Sequence, residues 1–360
     1  MHPLEIYLEE LGVLHASAAT AKEASGYGAL ASLLNALGQT LKPKVRCLLQ
    51  LKNSGAGLPD GGLFTPEQLK EPDEAAPLLG QKPARGVIEV KSTAEELAVI
   101  AQTPQVNQYL AHYGLVLLTN YRDFLLLERG TRGEPVERES FRLADNEAAF
   151  WAAAAHPRQT ATALGERFAE YLKRALLHAA PLNNPKDLAF FLGSYARDGR
   201  ARVEAAGDLP ALTALRTGLE ESLGMKFEAD KGEHFFRSTL VQTLFYGVFS
   251  AWVLWHKEEP RRRDAFDWRA AAWTLHVPMI KGLFEQVATP TKLGPLGLVE
   301  VLDWTAAALN RVDRPAFFER FLETHAVQYF YEPFLEAFDP GLRKELGVWY
   351  TPPEVVEYQV

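Results

Sequence analysis

Helical and strand-like patterns of apolar residues alternate over the first 145 residues of the chain. Leucines at helical spacing over 26–41 predict a helix, and the alternation over 44–52 predicts a half-buried strand. Further strand patterns cover 86–92, 114–120 and 122–130, and a helical pattern broken at Pro104 covers 94–113. This order predicts an α/β domain with a mixed sheet flanked by helices, in which the last two strands pair through a turn at Asn120 and Tyr121.

The pattern changes near residue 145, where strand-like alternation gives way to helical periods. The most apolar stretch, 235–255, is interrupted by Arg237 and Gln242, so it predicts a buried core helix rather than a membrane span. Prolines divide the helical periods as helix boundaries do. These are Pro181, Pro185, Pro210, Pro260, Pro290, Pro295 and Pro315. Residues 146–345 are therefore predicted to form an all-α connector domain.

The composition is that of a globular protein with a sizeable core, because 47% of the 360 residues are hydrophobic and 23% are charged. A net charge of −8 gives no global sign of nucleic-acid binding, although a local basic groove would suffice for it. The single cysteine, Cys47, excludes an internal disulfide framework and a multi-cysteine zinc site. The acidic start lacks the basic region of a signal peptide, which fits a cytoplasmic protein.

Two carboxylates and a lysine are the candidate chemistry of the first domain. Asp60 lies in a Pro-Asp-Gly turn, and Glu89 and Lys91 share one face of their predicted strand. Two carboxylates that converge at a sheet edge repel each other unless a cation lies between them, and oxygen ligands suit Mg²⁺. A lysine beside them can hold an attacking water and screen the charge that develops on a phosphate. In the structural alternative, Asp60 starts a turn, and Glu89 and Lys91 form a salt bridge.

The series Pro59-Asp60 followed by Glu89-Val90-Lys91 resembles the PD-(D/E)xK nuclease superfamily, and the resemblance covers about residues 20 to 130. It implies a nuclease domain over 1–145 in which two carboxylates hold Mg²⁺ and the lysine assists the attack of water. The gap between the two acidic residues is longer than a simple hairpin and is predicted to make a surface excursion.

The same resemblance adds three further residues to the predicted site. Members of the superfamily often supply a glutamate from a helix before the core, and Glu23 stands at such a helix start. Some members carry a Gln-x-x-x-Tyr helix beside the site, which implies that Gln105 and Tyr109 orient the bound strand. Glu23 also fits the first turn of an ordinary helix, and Gln105 and Tyr109 also fit a half-exposed helix face. Asp73 and Glu74 are alternatives to Asp60 as metal ligand.

The stretch 329–360 resembles the lead-in to the catalytic domain of adenine-N6 DNA methyltransferases in single-chain restriction-modification enzymes (type IIG/IIL-like or ISP-like). The resemblance covers about residues 235 to 360, and 346–360 would be the start of the methyltransferase domain. The resemblance implies that Tyr350, Thr351 and Pro352 approach S-adenosylmethionine, in a pocket that is incomplete in this chain. Locally, Thr351 also fits a helix cap before two prolines. The apolar run reaches Val360 without a closing signal, so the chain is expected to continue into a methyltransferase domain.

Together these patterns predict the Mg²⁺-dependent DNA endonuclease part of a bifunctional restriction-modification or phage-defence enzyme. Its partner is double-stranded DNA, and the downstream methyltransferase and recognition region would control cleavage. Because one site per chain must cut two strands, transient pairing of chains on DNA is expected. One alternative is a catalytically silent nuclease fold that binds DNA or a partner for a methyltransferase. Another is a helical adaptor without a nucleic-acid role.

Overall fold

The computed structural model describes residues 1–17, 23–51, 57–70, 82–207, 209–227, 232–260, 263–276, 278–321 and 330–339. The chain divides into two compact units, Met1–Ala180 and Pro181–Val360. The first unit contains a mixed sheet with helices, and the described part of the second is helical. This arrangement confirms an α/β region followed by a helical region.

The first unit is built from six helices and a single sheet in the described residues. The helices are α1 (Pro3–Ala16), α2 (Tyr27–Gly38), α3 (Leu97–Ile100), α4 (Pro104–Tyr113), α5 (Glu147–Ala154) and α6 (Pro157–Leu177). The strands are β1 (Arg46–Leu49), β2 (Gly61–Phe64), β3 (Val87–Val90), β4 (Leu115–Thr119), β5 (Asp123–Arg129) and β6 (Pro135–Arg142). A short 3₁₀ turn, Glu23–Gly26, precedes α2.

Among the described strands the sheet follows chain order from β1 to β6, and β3 with β4 is the one pair that runs parallel. A parallel pair needs a crossover, and α3 with α4 supplies it. The predicted break at Pro104 and the predicted turn at Asn120 and Tyr121 are both present. The sequence patterns predict no strand at the positions of β2 and β6. The helices α5 and α6 lie in the predicted connector range, 146–345, but belong to the first compact unit.

Helices cover both faces of the sheet. On one face α2 packs on β1, where the Asn35 side chain bonds to both the N–H and the carbonyl of Cys47 at 3.0 Å. On the other face α4 covers a cluster that includes Val87, Val106 and Leu118. Burial on both faces explains why all four residues of β3 are buried, including a glutamate.

The ends of α4 are fixed by local sequence. Thr103 caps its first turn, and Pro104 occupies a position where a missing N–H costs nothing. Gly114 ends the helix with φ 80°, a left-handed conformation that favours glycine. This start and end place Gln105 in the first turn of the helix, beside the end of β3.

The second unit packs around one long helix. Its helices are α7 (Pro185–Ala205), α8 (Pro210–Leu223), α9 (Gly232–Glu258), α10 (Ala271–Thr274), α11 (Pro278–Val287), α12 (Pro290–Leu293), α13 (Leu298–Asn310), α14 (Arg314–Arg320) and α15 (Glu332–Phe338). Trp252 of α9 is fully buried against the rings of Phe317 and Phe318, which confirms a core helix over 235–255. In the described part of the chain, no helix has the length and apolar character that crossing a membrane requires.

Candidate functional site

The strands β2 and β3 diverge at the position of Asp60. Gly61 pairs with Ile88 and Gly62 with Val87, and the backbone of Leu63 bonds to Gly86 and Arg85 on the side away from Asp60. One further step along this antiparallel register places Asp60 opposite Glu89, and residues directly opposite each other share a face of the sheet. The Asp60 carboxylate thus lies where the ladder between the strands opens.

Both oxygens of the Asp60 carboxylate accept hydrogen bonds. The backbone N–H of Val90 donates to Oδ2 at 2.8 Å, and the Tyr27 hydroxyl donates to Oδ1 at 2.5 Å. Val90 lies between Glu89 and Lys91 in the chain, so the carboxylate contacts the backbone that carries both. The Asp60 carboxylate is therefore fixed against β3.

Glu89 is a buried acid, with 2% of its side chain exposed. Its Oε1 accepts from Lys91 Nζ at 2.6 Å and from Gln105 Nε2 at 3.0 Å. A buried carboxylate is tolerated only when such partners compensate its lost hydration. The contact also shows that Glu89 and Lys91 lie on one face of the sheet, and the Lys91 side chain retains 16% exposure, which leaves its amine within reach of solvent.

Tyr109 completes this group from α4. Gln105 donates to its hydroxyl oxygen at 3.0 Å, so one amide contacts both Glu89 and Tyr109. Burial raises the pKa of the Tyr109 hydroxyl, and the nearby negative charges of Glu89 and Asp60 raise this pKa further. The hydroxyl therefore stays protonated at neutral pH and can donate a hydrogen bond.

The structure brings five of the six predicted nuclease residues together: Asp60, Glu89, Lys91, Gln105 and Tyr109. For Glu23 it describes only the backbone, which begins the 3₁₀ turn before α2. Asp73 and Glu74, the alternatives to Asp60, lie outside the described residues. So do the predicted cofactor-binding residues Tyr350, Thr351 and Pro352.

Tyr27 is a site residue that the sequence patterns do not reveal. Tyr27 is the first residue of α2 and stands four positions after Glu23, one of the predicted nuclease residues. This i to i+4 spacing is the one local signal in the sequence that links Tyr27 to those residues. The preceding Gly26 lies against the Tyr121 ring, where an added Cβ would come within 2.5 Å of Cε1. Glycine at this position therefore allows the start of α2 to approach the β4–β5 turn.

The donor set suits a hard divalent cation. Asp60 and Glu89 offer carboxylate oxygens, and Mg²⁺ is commonly held by one or two carboxylates, with water and phosphate oxygens as its other ligands. Within the ranges that the structure describes, no group of three or more His, Cys, Asp or Glu side chains has the geometry of a metal site. The described residues therefore offer two carboxylates to a cation and no site that would enclose one in protein ligands alone.

Comparisons with known proteins do not assign this chain to a family. No family model and no curated protein matches it. Among solved structures, the cryo-EM structure of a DrdV–DNA complex aligns with 99% of this chain and 30% of its own chain, at 18% identity and a TM-score of 0.29. A TM-score this low does not establish a shared fold or function. The chain covers under a third of the length of that protein.

Proposed function

We propose that this chain is the Mg²⁺-dependent endonuclease part of a DNA restriction or defence enzyme and hydrolyses phosphodiesters of double-stranded DNA. The observation that carries the proposal is the bond of the Asp60 carboxylate to the backbone N–H of Val90, between Glu89 and Lys91, together with the bond of Lys91 to Glu89. Two carboxylates and an amine at one opening of a sheet provide the charges that phosphodiester hydrolysis uses.

Each residue has a distinct task in this proposal. Asp60 and Glu89 would hold Mg²⁺, which when bound polarises a phosphoryl oxygen and lowers the pKa of coordinated water. Lys91 would orient the attacking water and screen the charge that develops on the phosphate. Gln105 keeps the Glu89 carboxylate in position and bonds to the hydroxyl of the buried Tyr109, and these two residues would orient the bound strand.

Control by an adenine-N6 methyltransferase belongs to the same proposal and rests on the sequence of residues 329–360 alone. Tyr350, Thr351 and Pro352 would contribute to an S-adenosylmethionine pocket completed by residues beyond this chain. Glu23, at the start of the turn that leads to Tyr27, would assist the metal or its water. Transient pairing of two chains on DNA would allow one site per chain to cut both strands.

A catalytically silent scaffold is a second candidate, and one observation favours it. Both oxygens of Asp60 already accept protein hydrogen bonds, and Lys91 already compensates the charge of Glu89. The protein thus already compensates much of the charge of this group, as in a structural cluster, although Oε2 of Glu89 is buried without a hydrogen bond from the described residues. The two candidates differ in whether the protein cuts DNA when Mg²⁺ is supplied.

A plasmid-nicking assay decides between them. We expect the protein to convert supercoiled plasmid to nicked or linear DNA with Mg²⁺ and to lose this activity with a chelator. Lys91→Ala should cut at least ~100-fold more slowly, because it removes a cation aimed at the developing charge. Equal cutting by both proteins would refute the assigned site. An inactive parent under all metal and S-adenosylmethionine conditions would favour the scaffold.

Tyr27→Phe should weaken metal binding without abolishing cleavage. The change removes the hydrogen bond that orients Asp60, and residues that orient metal ligands typically contribute about 10-fold or more to metal affinity. Calorimetric titration with Mn²⁺ measures this directly, and saturating Mg²⁺ should restore most of the cleavage rate.

Tyr171→Phe is the matched control for this prediction. The Tyr171 hydroxyl bonds to the carbonyl of Phe124 at 3.0 Å, away from the site residues. Its loss should reduce stability by about 1 kcal/mol and leave Mn²⁺ affinity unchanged. Unchanged affinity in Tyr27→Phe as well would show that its hydroxyl does not position Asp60.

A further inference from the structure

Two exposed cations lie at alternate positions at the start of the edge strand β1, Arg46 as its first residue and Lys44 two residues before it. Lys44 and Arg46 are exposed, whereas Val45 and Cys47 between and after them are buried. β1 is the outermost strand of the sheet on its side. Among the described residues, neither cation has a carboxylate within ion-pair distance, so their charges remain available to an anion.

Strand register places Arg46 on the same face of the sheet as the candidate site. Arg46 on β1 pairs with Phe64 on β2. Gly62, two residues before Phe64 on the same strand, pairs with Val87 on β3. Antiparallel partners share a face, and so do residues two apart in one strand, so Arg46, Val87 and Glu89 face the same way. This is the face that α4 covers over Val87.

The same strand leads from these cations to the catalytic group. Four residues beyond Arg46, the backbone N–H of Gln50 donates to the carbonyl of Asp60 at 2.6 Å. At about 3.3 Å per residue, Arg46 stands about 13 Å from that point. This length corresponds to about four base pairs along the axis of B-DNA.

The cations border a surface cleft whose lining is partly polar and partly apolar. Its volume is about 440 Å³, and it is lined by Gln39, Lys44, Val45, Arg46, Pro66 and Leu69. A nucleic-acid backbone presents anionic phosphates and less polar sugars in alternation. The cleft offers two cations and an amide to the phosphates, with apolar side chains beside them.

We infer that Lys44 and Arg46 form a binding surface for the DNA backbone, about four base pairs from the phosphate that is cut. The inference rests on the proposed nuclease function and extends it to the way in which substrate is held. Because the chain carries a net charge of −8, local cations are needed to retain DNA against general repulsion. Cations on an edge strand can also serve only to prevent edge-to-edge aggregation, and salt dependence separates the two roles.

The double variant Lys44→Ala/Arg46→Ala should lower the salt dependence of DNA binding. Each phosphate contact contributes about 0.9 to the slope of log affinity against log salt concentration, so the slope should fall by up to about 1.8. Fluorescence anisotropy with a labelled linear duplex, titrated without Mg²⁺ at several KCl concentrations, measures the slope. Thermal melts of both proteins verify that the variant is folded.

Arg132→Ala/Arg158→Ala is the control with an equal change in charge. Both arginines are exposed, in the β5–β6 turn and the first turn of α6. This variant should keep the parental slope. An unchanged slope in Lys44→Ala/Arg46→Ala, or an equal fall in the control, would overturn the binding surface.

A third protein separates failure of this surface from failure of the nuclease proposal. Glu89→Gln should lose cleavage but retain the salt slope of the parent, since Glu89 contributes no cation. If the parent binds and cuts DNA while the Lys44→Ala/Arg46→Ala slope stays parental, only the surface is refuted. If the parent neither binds nor cuts DNA at any salt concentration, the nuclease proposal fails and the surface fails with it.

Discussion

Glu89→Gln is expected to reduce Mg²⁺-dependent DNA cleavage by on the order of 10³-fold, the scale on which positioned catalytic groups act. The amide is nearly isosteric with the carboxylate and can still accept from Gln105, so packing around β3 is preserved. It lacks the negative charge that would bind Mg²⁺ and that pairs with Lys91 at 2.6 Å. Single-turnover cleavage and calorimetric Mn²⁺ binding should therefore both decline.

Glu137→Gln provides the matched control for this result. Glu137 is an exposed carboxylate on β6, at the opposite edge of the same sheet. Its neutralisation changes the net charge equally and should leave cleavage and Mn²⁺ binding at parental levels. Parental cleavage by a folded Glu89→Gln protein would remove Glu89 from the reaction and leave its bond to Lys91 as a structural salt bridge.

The central strands and the crossover helix could be read from the sequence because their signals are local. β3, β4 and β5 are apolar runs bounded by glycine and turn residues, and α4 begins with a capping threonine followed by proline. Parity along β3 also places Glu89 and Lys91 on one face without any tertiary information.

Two strands escape prediction because neighbouring strands, not their own propensities, create them. β2 begins with Gly61 and Gly62, which weaken a strand pattern. An added Cβ at Gly61 would lie 2.9 Å from the backbone oxygen of Leu48 on β1, so a side chain there would push β2 away from its neighbour. β6 is rich in charged residues and resembles a loop, yet it pairs along most of β5.

The site shows the same division between local and tertiary information. Motif spacing identifies Asp60 and Glu89 as a pair, but their opposition follows from a register set by β2, which was not predicted. Tyr27 reaches Asp60 across 33 positions of sequence, and no periodicity encodes such a contact. Sequence patterns thus find charged groups on a strand and neutral groups at a motif spacing, such as Gln105, and miss a neutral group that no motif marks, such as Tyr27.

The change of pattern at residue 145 marks a change of secondary structure within the first unit. α6 follows it, yet this helix packs on β6. The Tyr171 hydroxyl donates to the carbonyl of Phe124 in the sheet, and Phe168 packs against the Phe124 ring with centroids 5.0 Å apart. Alanine-rich helical periods look alike wherever they pack, so composition does not locate the boundary between units.

A buried ion pair between α6 and β6 gives this packing a measurable consequence. Arg174 Nε donates to Glu139 Oε2 at 2.9 Å, and the two side chains are only 2% and 3% exposed. Arg174→Met removes the guanidinium and leaves Glu139 with a buried charge that has lost its main compensation. Removing one partner of a buried ion pair typically lowers the free energy of unfolding by about 3–5 kcal/mol, and we expect a loss of that size in the first unit.

Hydrogen–deuterium exchange of the α6 and β6 amides tests this loss in the first unit alone, since exchange resolves stability by segment. Arg158→Met, an exposed change in the same helix, should alter stability by no more than about 0.5 kcal/mol. The double variant Arg174→Met/Glu139→Leu should recover most of the loss, because apolar replacement of a whole buried pair is often neutral. Additive losses in the double variant would instead show that each side chain stabilises the unit independently of the other.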